Sequence, residues 1–177
     1  MSKPMPNLAF HAMSAIFYLR NHLFPRQGIL KEAGIKPGFH VLDYGCGPGA
    51  YLLDTAKMVG QSGMVYTLDL HPLAIQKVKA IAQKNGLTNV KTIRSDCQTG
   101  LANNSLDVVL LYDIYHMLNE PQAVLTELHR ILKPDGILSF NDPHMQADDA
   151  IAKVTNSLFF TLLKRGEKTF SFSKRNG

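Results

Sequence analysis

With only two cysteines, Cys46 and Cys97, in 177 residues, the chain lacks the makings of a disulfide framework, and no Cys-x-x-Cys pair is present to bind metal or cycle thiols. A reducing, cytoplasmic compartment is expected. No run approaches the roughly 18 to 20 apolar residues that a membrane-crossing helix needs. The N-terminal stretch also lacks the charged segment, apolar block and cleavage site of a secretory leader. Clustered charge is scarce too. The formal net charge is +5, yet cations gather only near the C-terminus, at Lys164, Arg165, Lys168, Lys174 and Arg175, with no base-reading motif beside them. A solvated surface is expected there, and no nucleic-acid partner. Internal repeats and low-complexity tracts are absent, and a chain of this length is expected to form one domain.

What is present is ordinary for a globular protein, with 45% hydrophobic and 19% charged residues. Residues 7–24 read as a helix, and Met13, Ala15, Ile16, Phe17, Tyr18 and Leu19 give it an apolar surface wider than one stripe, which something should cover. Pro25 stops it, and residues 27–34 read as a second short helix ending at Gly34, a glycine in the usual C-terminal capping place. Beyond Lys36-Pro37-Gly38 the pattern alternates. Residues 39–43 form a strand, 50–59 a helix and 64–68 a second strand. His71-Pro72 opens the next helix, with proline at the first helical position, and Asn85-Gly86 closes it. Residues 90–94 are a third strand, and 106–112 a fourth, whose run Val108-Val109-Leu110-Leu111 is apolar enough to be buried on both faces. Glu120-Pro121 starts a helix with Ala123, Val124, Leu128, Ile131 and Leu132 at helical spacing, and Lys133-Pro134-Asp135-Gly136 turns into a strand at 137–140. A helix over 148–156 and a hairpin of 159–164 with 169–174 complete the chain. Five alternating strand-helix units predict an α/β, doubly wound parallel sheet with right-handed crossovers, made antiparallel at one edge by the hairpin.

In such sheets the ligand sits beyond the carboxyl ends of the strands, where strand order reverses. The first strand ends in Asp43-Tyr44-Gly45-Cys46-Gly47-Pro48-Gly49-Ala50, a turn that lets a ligand approach bare backbone. By itself the loop is ambiguous, because Gly45, Gly47 and Ala50 also fit the G-x-G-x-x-G/A pattern of dinucleotide binders. The strand ends narrow the choice. Asp43, Asp69, Ser95-Asp96-Cys97 and Tyr112-Asp113 follow strands one to four. Asp69 is placed to accept from both ribose hydroxyls and Asp96 from an adenine amine. With no Lys or Arg in the loop, acid-rich strand ends suit a ligand bearing an ammonium and a sulfonium better than one bearing a pyrophosphate.

Val41-Leu42-Asp43-Tyr44-Gly45-Cys46-Gly47-Pro48-Gly49 resembles motif I of class I S-adenosylmethionine-dependent methyltransferases. Arg130-Ile131-Leu132-Lys133-Pro134-Asp135-Gly136-Ile137-Leu138 resembles the helix-to-strand signature of their ubiquinone/menaquinone-biosynthesis-like branch. The resemblance spans roughly residues 35–140. It implies a Rossmann-like sheet of seven strands in the order 3-2-1-4-5-7-6, with N-terminal helices outside it. Residues 1–34 would form a helical cap, 35–140 the cofactor-binding core, and 141–177 the final helix and hairpin. The cofactor implied is S-adenosylmethionine, leaving as S-adenosylhomocysteine. Gly45, Gly47 and Gly49 would pack against its methionine part, Asp69 would bind the ribose, Asp96 and Cys97 would flank the adenine, and Leu70 would pack on that ring. Asp43 would orient the loop and reach the methionine amine, directly or through water. Tyr44, Cys46 and Tyr112 complete the expected cofactor-binding set, Tyr44 being bulkier than the residue common at its place.

Methyl transfer is an in-line displacement, so alignment in a dry cleft is the main requirement and no nucleophilic side chain is needed. Should the acceptor be protonated, the residues placed to act as base are His116, Tyr115 and Asp113, with Asp142 and His144 behind them. His116, His144 and Asp142 lack a helical ligand pair, so no metal is expected, and both cysteines read as small buried residues. The N-terminal helix is the natural cover, which points to a small apolar or aromatic acceptor such as a quinone-like molecule. The same surface would serve for docking on a membrane, for a second subunit in a homodimer, or for plain packing on the sheet in a monomer. Two other readings stay open. A nicotinamide-dependent oxidoreductase would need a substrate domain and basic phosphate contacts that are not seen. A catalytically silent cofactor-binding protein would have no need for the intact acidic set. A methyltransferase for nucleic-acid bases is disfavoured, since Tyr112-Asp113-Ile114-Tyr115 is not an Asn/Asp-Pro-Pro-aromatic motif.

Overall fold

The alternating pattern folds into one seven-stranded sheet in a computed structural model that describes residues 5–23 and 27–175. In chain order the elements are α1 (Asn7–Leu23), α2 (Gln27–Glu32), β1 (His40–Tyr44), α3 (Leu52–Val59), β2 (Met64–Asp69), α4 (Pro72–Lys84), β3 (Val90–Arg94), β4 (Leu106–Tyr112), a 3-10 turn (Tyr115–Met117), α5 (Pro121–Ile131), β5 (Leu132–Asn141), α6 (Ala147–Thr155), β6 (Phe160–Arg165) and β7 (Phe170–Lys174). The strand order is β3-β2-β1-β4-β5-β7-β6, and β7 alone runs antiparallel to its neighbours, as expected. The side chains of Phe17, Tyr18 and Leu19, and Pro25 itself, lie outside the described residues.

Side chains alternate across each strand, so the central strands must be apolar on both faces. One core joins Val41, Val65, Val108 and Leu110 to Leu30 of α2, Leu52 and Val59 of α3, and Val78 of α4. The other joins Leu42, Leu68, Val109 and Leu111 to Leu125 and Leu128 of α5 and Val154 of α6. Each fully buried leucine or valine contributes about 1.5 to 3 kcal/mol, which is what holds helices on both faces.

Two details depart from the alternation. Strand β5 begins at Leu132, five residues before the expected start, because Leu132 pairs with Leu106 while the next pair is Ile137 with Val108. The Lys133-Pro134-Asp135-Gly136 segment bulges out between them. Gly136 is needed there, since a Cβ would stand 3.0 Å from the Lys133 backbone. Lys133 Nζ reaches Asp107 Oδ1 at 2.5 Å, and the other oxygen of Asp107 accepts from His40 N at 2.7 Å, so this signature fastens the starts of β1, β4 and β5 together.

The second departure is the β3-to-β4 connection, residues 95–105, which carries no helix. Glu127 of α5 holds it in place. Its buried carboxylate accepts from Thr99 N at 2.8 Å and Thr99 Oγ1 at 2.6 Å, and from Arg130 Nε at 2.8 Å. The Arg130 hydrogen bond, opposed by burial and helped by Thr99, holds this carboxyl down at about 2 against an ordinary 4.5. A depressed carboxyl stabilises the fold above its unfolded value, and that contribution disappears as pH falls from about 4.5 towards 2. Glu127→Gln is therefore expected to lose about 2 to 3 kcal/mol at neutral pH and much less near pH 3. Urea unfolding at both pH values measures this; an equal loss at both would mean that the charge is not what holds the loop.

Candidate active site

A cavity of about 720 Å³ opens beyond the carboxyl ends of β1, β2 and β4, the place the switch-point rule assigns to ligands. Its floor is the glycine loop. Gly45 and Gly47 have φ of +76° and +50°, and the N–H groups of Gly45 and Cys46 both donate to Leu68 O, at 2.8 and 3.0 Å. The loop is thereby tied to the end of β2. Asp69 adds a second tie, accepting from Gly47 N at 2.8 Å through Oδ2 and from His71 N at 2.7 Å through Oδ1. A carboxylate has about four lone-pair sites, so Asp69 keeps acceptor capacity facing the cavity. Burial raises its carboxyl above the ordinary range, against the pull of those backbone bonds.

Asp43 ends β1 next to the loop, 3% exposed and behind the residues that line the cavity, and its Oδ2 is buried with no hydrogen-bond partner among the described residues. Burial first, and the Asp69 charge second, push its carboxyl up to about 7. A buried carboxyl with an open acceptor is stabilised by a cation brought next to it. Tyr44 uses its bulk structurally. Its ring sits in the α5-side core while its hydroxyl donates to Asp96 O at 3.0 Å, clamping the loop after β3. Asp96, Cys97 and Leu70 line the same end of the cavity. Gly49 does not line it: a Cβ there would meet Val78 and Ile81 at 3.2 and 3.3 Å, so this glycine seats the loop on α4.

The thiols of Cys46 and Cys97 are both free, and burial pushes both above the usual thiol range, which leaves them as packing groups. Tyr112 lines the cavity with its hydroxyl hydrogen-bonded to Ser139 Oγ at 2.7 Å and its ring edge-on to Tyr51 at 5.2 Å.

Beyond β4 the chain turns sharply at Asp113, whose φ is +57° and whose N–H donates to Asn141 O at 2.8 Å. The 3-10 turn that follows sorts the expected bases. Tyr115 is buried with its ring 5.4 Å from that of Phe140 and does not line the cavity, so a base at this position is not what the geometry offers. Asp113, His116 and His144 do line it. His116 Nδ1 lies 2.8 Å from Asp142 Oδ2, and the two histidine rings are 4.3 Å apart.

The N-terminal helix, expected as a cover, supplies part of the wall, and Met5, Phe10 and His71 are wall residues that no motif singled out. Met5, Phe10 and Met13 of the N-terminal segment lie across the cavity. Phe10, 1% exposed, stacks on His71 at 4.3 Å, with the Lys77 ammonium 5.5 Å from the Phe10 ring. His71 Nδ1 accepts from Leu73 N at 3.1 Å, which leaves Nε2 as the N–H that donates to Met5 O at 3.0 Å. The His71-Pro72 pair announced a helix start and nothing more. Leu8 and Ile16, on the outer side of α1, are 83% and 64% exposed. Among the described residues no helix is long and apolar enough to cross a membrane.

Residues 35–168 match a family model described as a methyltransferase domain. The chain is 33% identical over 138 residues to the demethylmenaquinone methyltransferase of Geobacillus stearothermophilus, a match covering 74% of this chain and 57% of that protein. It is 34% identical over 113 residues to the aklanonic acid methyltransferase of Streptomyces sp. (strain C5), covering 62% and 50%. The chain thus spans about half the length of the curated relatives it matches. A crystal structure of an S-adenosylmethionine-dependent methyltransferase from Aquifex aeolicus is 28% identical, with a TM-score of 0.75, covering 88% of this chain and 91% of that one.

Proposed function

Because the chain belongs to the methyltransferase-domain family of S-adenosylmethionine-dependent enzymes, we propose that it transfers a methyl group from S-adenosylmethionine to a small, apolar acceptor of quinone type. The observation that carries the donor is Asp43, a buried carboxyl whose Oδ2 has no hydrogen-bond partner among the described residues, next to a glycine loop free of Lys and Arg. An ammonium satisfies that oxygen, whereas a pyrophosphate would meet it as a like charge. Asp43 would hold the methionine amine, Asp69 the ribose, and Asp96, Leu70 and Cys97 the adenine. The donor, when bound, supplies an electrophilic methyl on a sulfonium. This chain's own part is to bind, orient and exclude water.

The acceptor side is apolar. Met5, Phe10, Met13, Ile114, Met117 and Leu118 all line the cavity, which suits a flat, lipid-soluble ring, and the two relatives are named for methylation of demethylmenaquinone and of aklanonic acid. In this reading residues 1–34 act as cap, 35–140 as donor-binding core, and 141–177 as the closing helix and hairpin.

Calorimetric titration is expected to give saturable binding of S-adenosylhomocysteine and no heat with NADH, and the reverse result would overturn the assignment. With labelled donor, label should pass to a naphthoquinol. Donor binding with no transfer across quinols, phenols and amines would instead mark a catalytically silent binder.

A further inference from the structure

We propose that His116, oriented by Asp142, is the general base of this methyl transfer, and that the acceptor atom is a weakly acidic hydroxyl on a planar ring, a phenol or an enol. The inference rests on the methyl-transfer reading above and adds to it the chemistry of the acceptor.

The pairing arises from the sheet. β4 and β5 are parallel neighbours with Tyr112 opposite Asn141, so the turns leaving them emerge side by side and bring His116 and Asp142 together across 26 positions. Asp142 is held before the ring arrives, because its carboxylate accepts from the main-chain N–H groups of His116 at 3.0 Å and His144 at 3.1 Å. The side chain of Asp142 is fully buried, and that of His116 is 27% exposed. A carboxylate oxygen 2.8 Å from Nδ1, and the other at 3.0 Å, makes Nδ1 the protonated nitrogen. The lone pair is thereby placed on Nε2, in a ring that lines the cavity.

A carboxylate that fixes tautomer and direction, and then stabilises the imidazolium, is what a histidine base requires. His144 engages the same carboxylate through its backbone N–H, and its ring leans on His116, walling the base in. Asp113 and Glu120, and Tyr112 at the end of β4, are further ionisable residues that line the cavity. A neutral amine presents its own lone pair and needs no base. A phenol or enol must lose a proton first. The hydroxyl proton passes to His116 Nε2, the oxygen pair forms the new oxygen–carbon bond, and the carbon–sulfur pair returns to sulfur as a neutral thioether. The proton then leaves His116 for solvent.

The experiment titrates 4-nitrocatechol, a phenol whose absorbance reports its ionisation, against the protein saturated with S-adenosylhomocysteine. In the wild type the bound probe is expected to ionise as an acid about tenfold stronger than free. In His116→Gln it should bind yet ionise like the free probe. With a quinol acceptor, His116→Gln should lower kcat by about 10²- to 10⁴-fold and remove the acid limb of the pH profile. Asp142→Asn should lower kcat at least about tenfold, move the midpoint of that limb and leave the acceptor KM in place. Failure of S-adenosylhomocysteine to bind overturns the methyl-transfer reading itself. Donor binding with a probe that does not bind, stays neutral in the wild type, or ionises equally in His116→Gln overturns this inference alone. Where the variants do not fold, a wild-type probe that does not bind or stays neutral still overturns the inference.

Discussion

Gly45→Ala is expected to weaken S-adenosylhomocysteine binding by at least about 100-fold and to lower the melting temperature by roughly 5 to 10 °C. Two costs add. At φ of +76° an alanine sits in a left-handed conformation that costs about 1 to 2 kcal/mol. Its Cβ would also stand 2.8 Å from Ile114 Cγ1 and 3.1 Å from Ile114 Cβ, a contact made by the stiff, branched base of the side chain. Relief can come only by moving the loop off Leu68 or by pushing Ile114, which carries the turn to His116 with it. Gly47→Ala provides the contrast. Among the described residues nothing lies within 4 Å of its would-be Cβ, so the fold should lose only the conformational cost while the methyl group intrudes on the cavity. Scanning fluorimetry and calorimetry on both variants separate these effects. A Gly45→Ala protein within twofold of wild-type affinity would mean that Ile114 yields freely.

Asp43→Asn should move stability and affinity in opposite directions. The folded carboxyl titrates at about 7 against an ordinary 3.8, so between those values the folded state holds a proton that the unfolded state gives up. A raised carboxyl therefore costs stability as pH climbs from about 4 to 7, by an amount on the order of a few kcal/mol, and the full cost persists above 7. Without ligand, Asp43→Asn should match the wild type near pH 4 and be more stable at pH 8. Binding runs the other way. An ammonium stabilises the charged form, so wild-type affinity for S-adenosylhomocysteine should rise from about pH 5 to 7, while the variant stays flat and binds about 10- to 100-fold more weakly at pH 8. Loss of stability together with affinity at pH 8 would make Asp43 a structural residue and remove the ammonium argument.

The strand ends around the glycine loop were legible because their signals are local. Val108-Val109-Leu110-Leu111 announces a strand buried on both faces, and the glycines with Asp43 and Asp69 mark where two strands end; β4 and the loop's anchors lie there. Most of what pattern missed depends on partners distant in sequence. Leu132 joins β5 because Leu106 is opposite, which no periodicity reveals. Tyr115 and His116 are adjacent in a 3-10 turn, too short for a repeating pattern to say which side chain turns inward; Phe140 takes one and Asp142 the other. Phe10 reaches His71 across 61 positions, and its neighbours in α1 carry no stripe that singles it out. Gly49 shows the limit of motif position: it sits in the expected pattern, yet α4 decides its role.

The fastening of Lys133, Asp107 and the His40 backbone lies at the opening ends of the strands, roughly 13 Å along β1 from the ends that carry the chemistry. On the proposed reading, a copy that lost methyl transfer would still have use for Gly136, whose place a Cβ would crowd, and for the lysine that ties β5 to β4, whereas Asp43 and His116 could change. Such a descendant would still be recognised as kin by the Lys-Pro-Asp-Gly signature, and only its strand exits would tell that the inherited trade had lapsed.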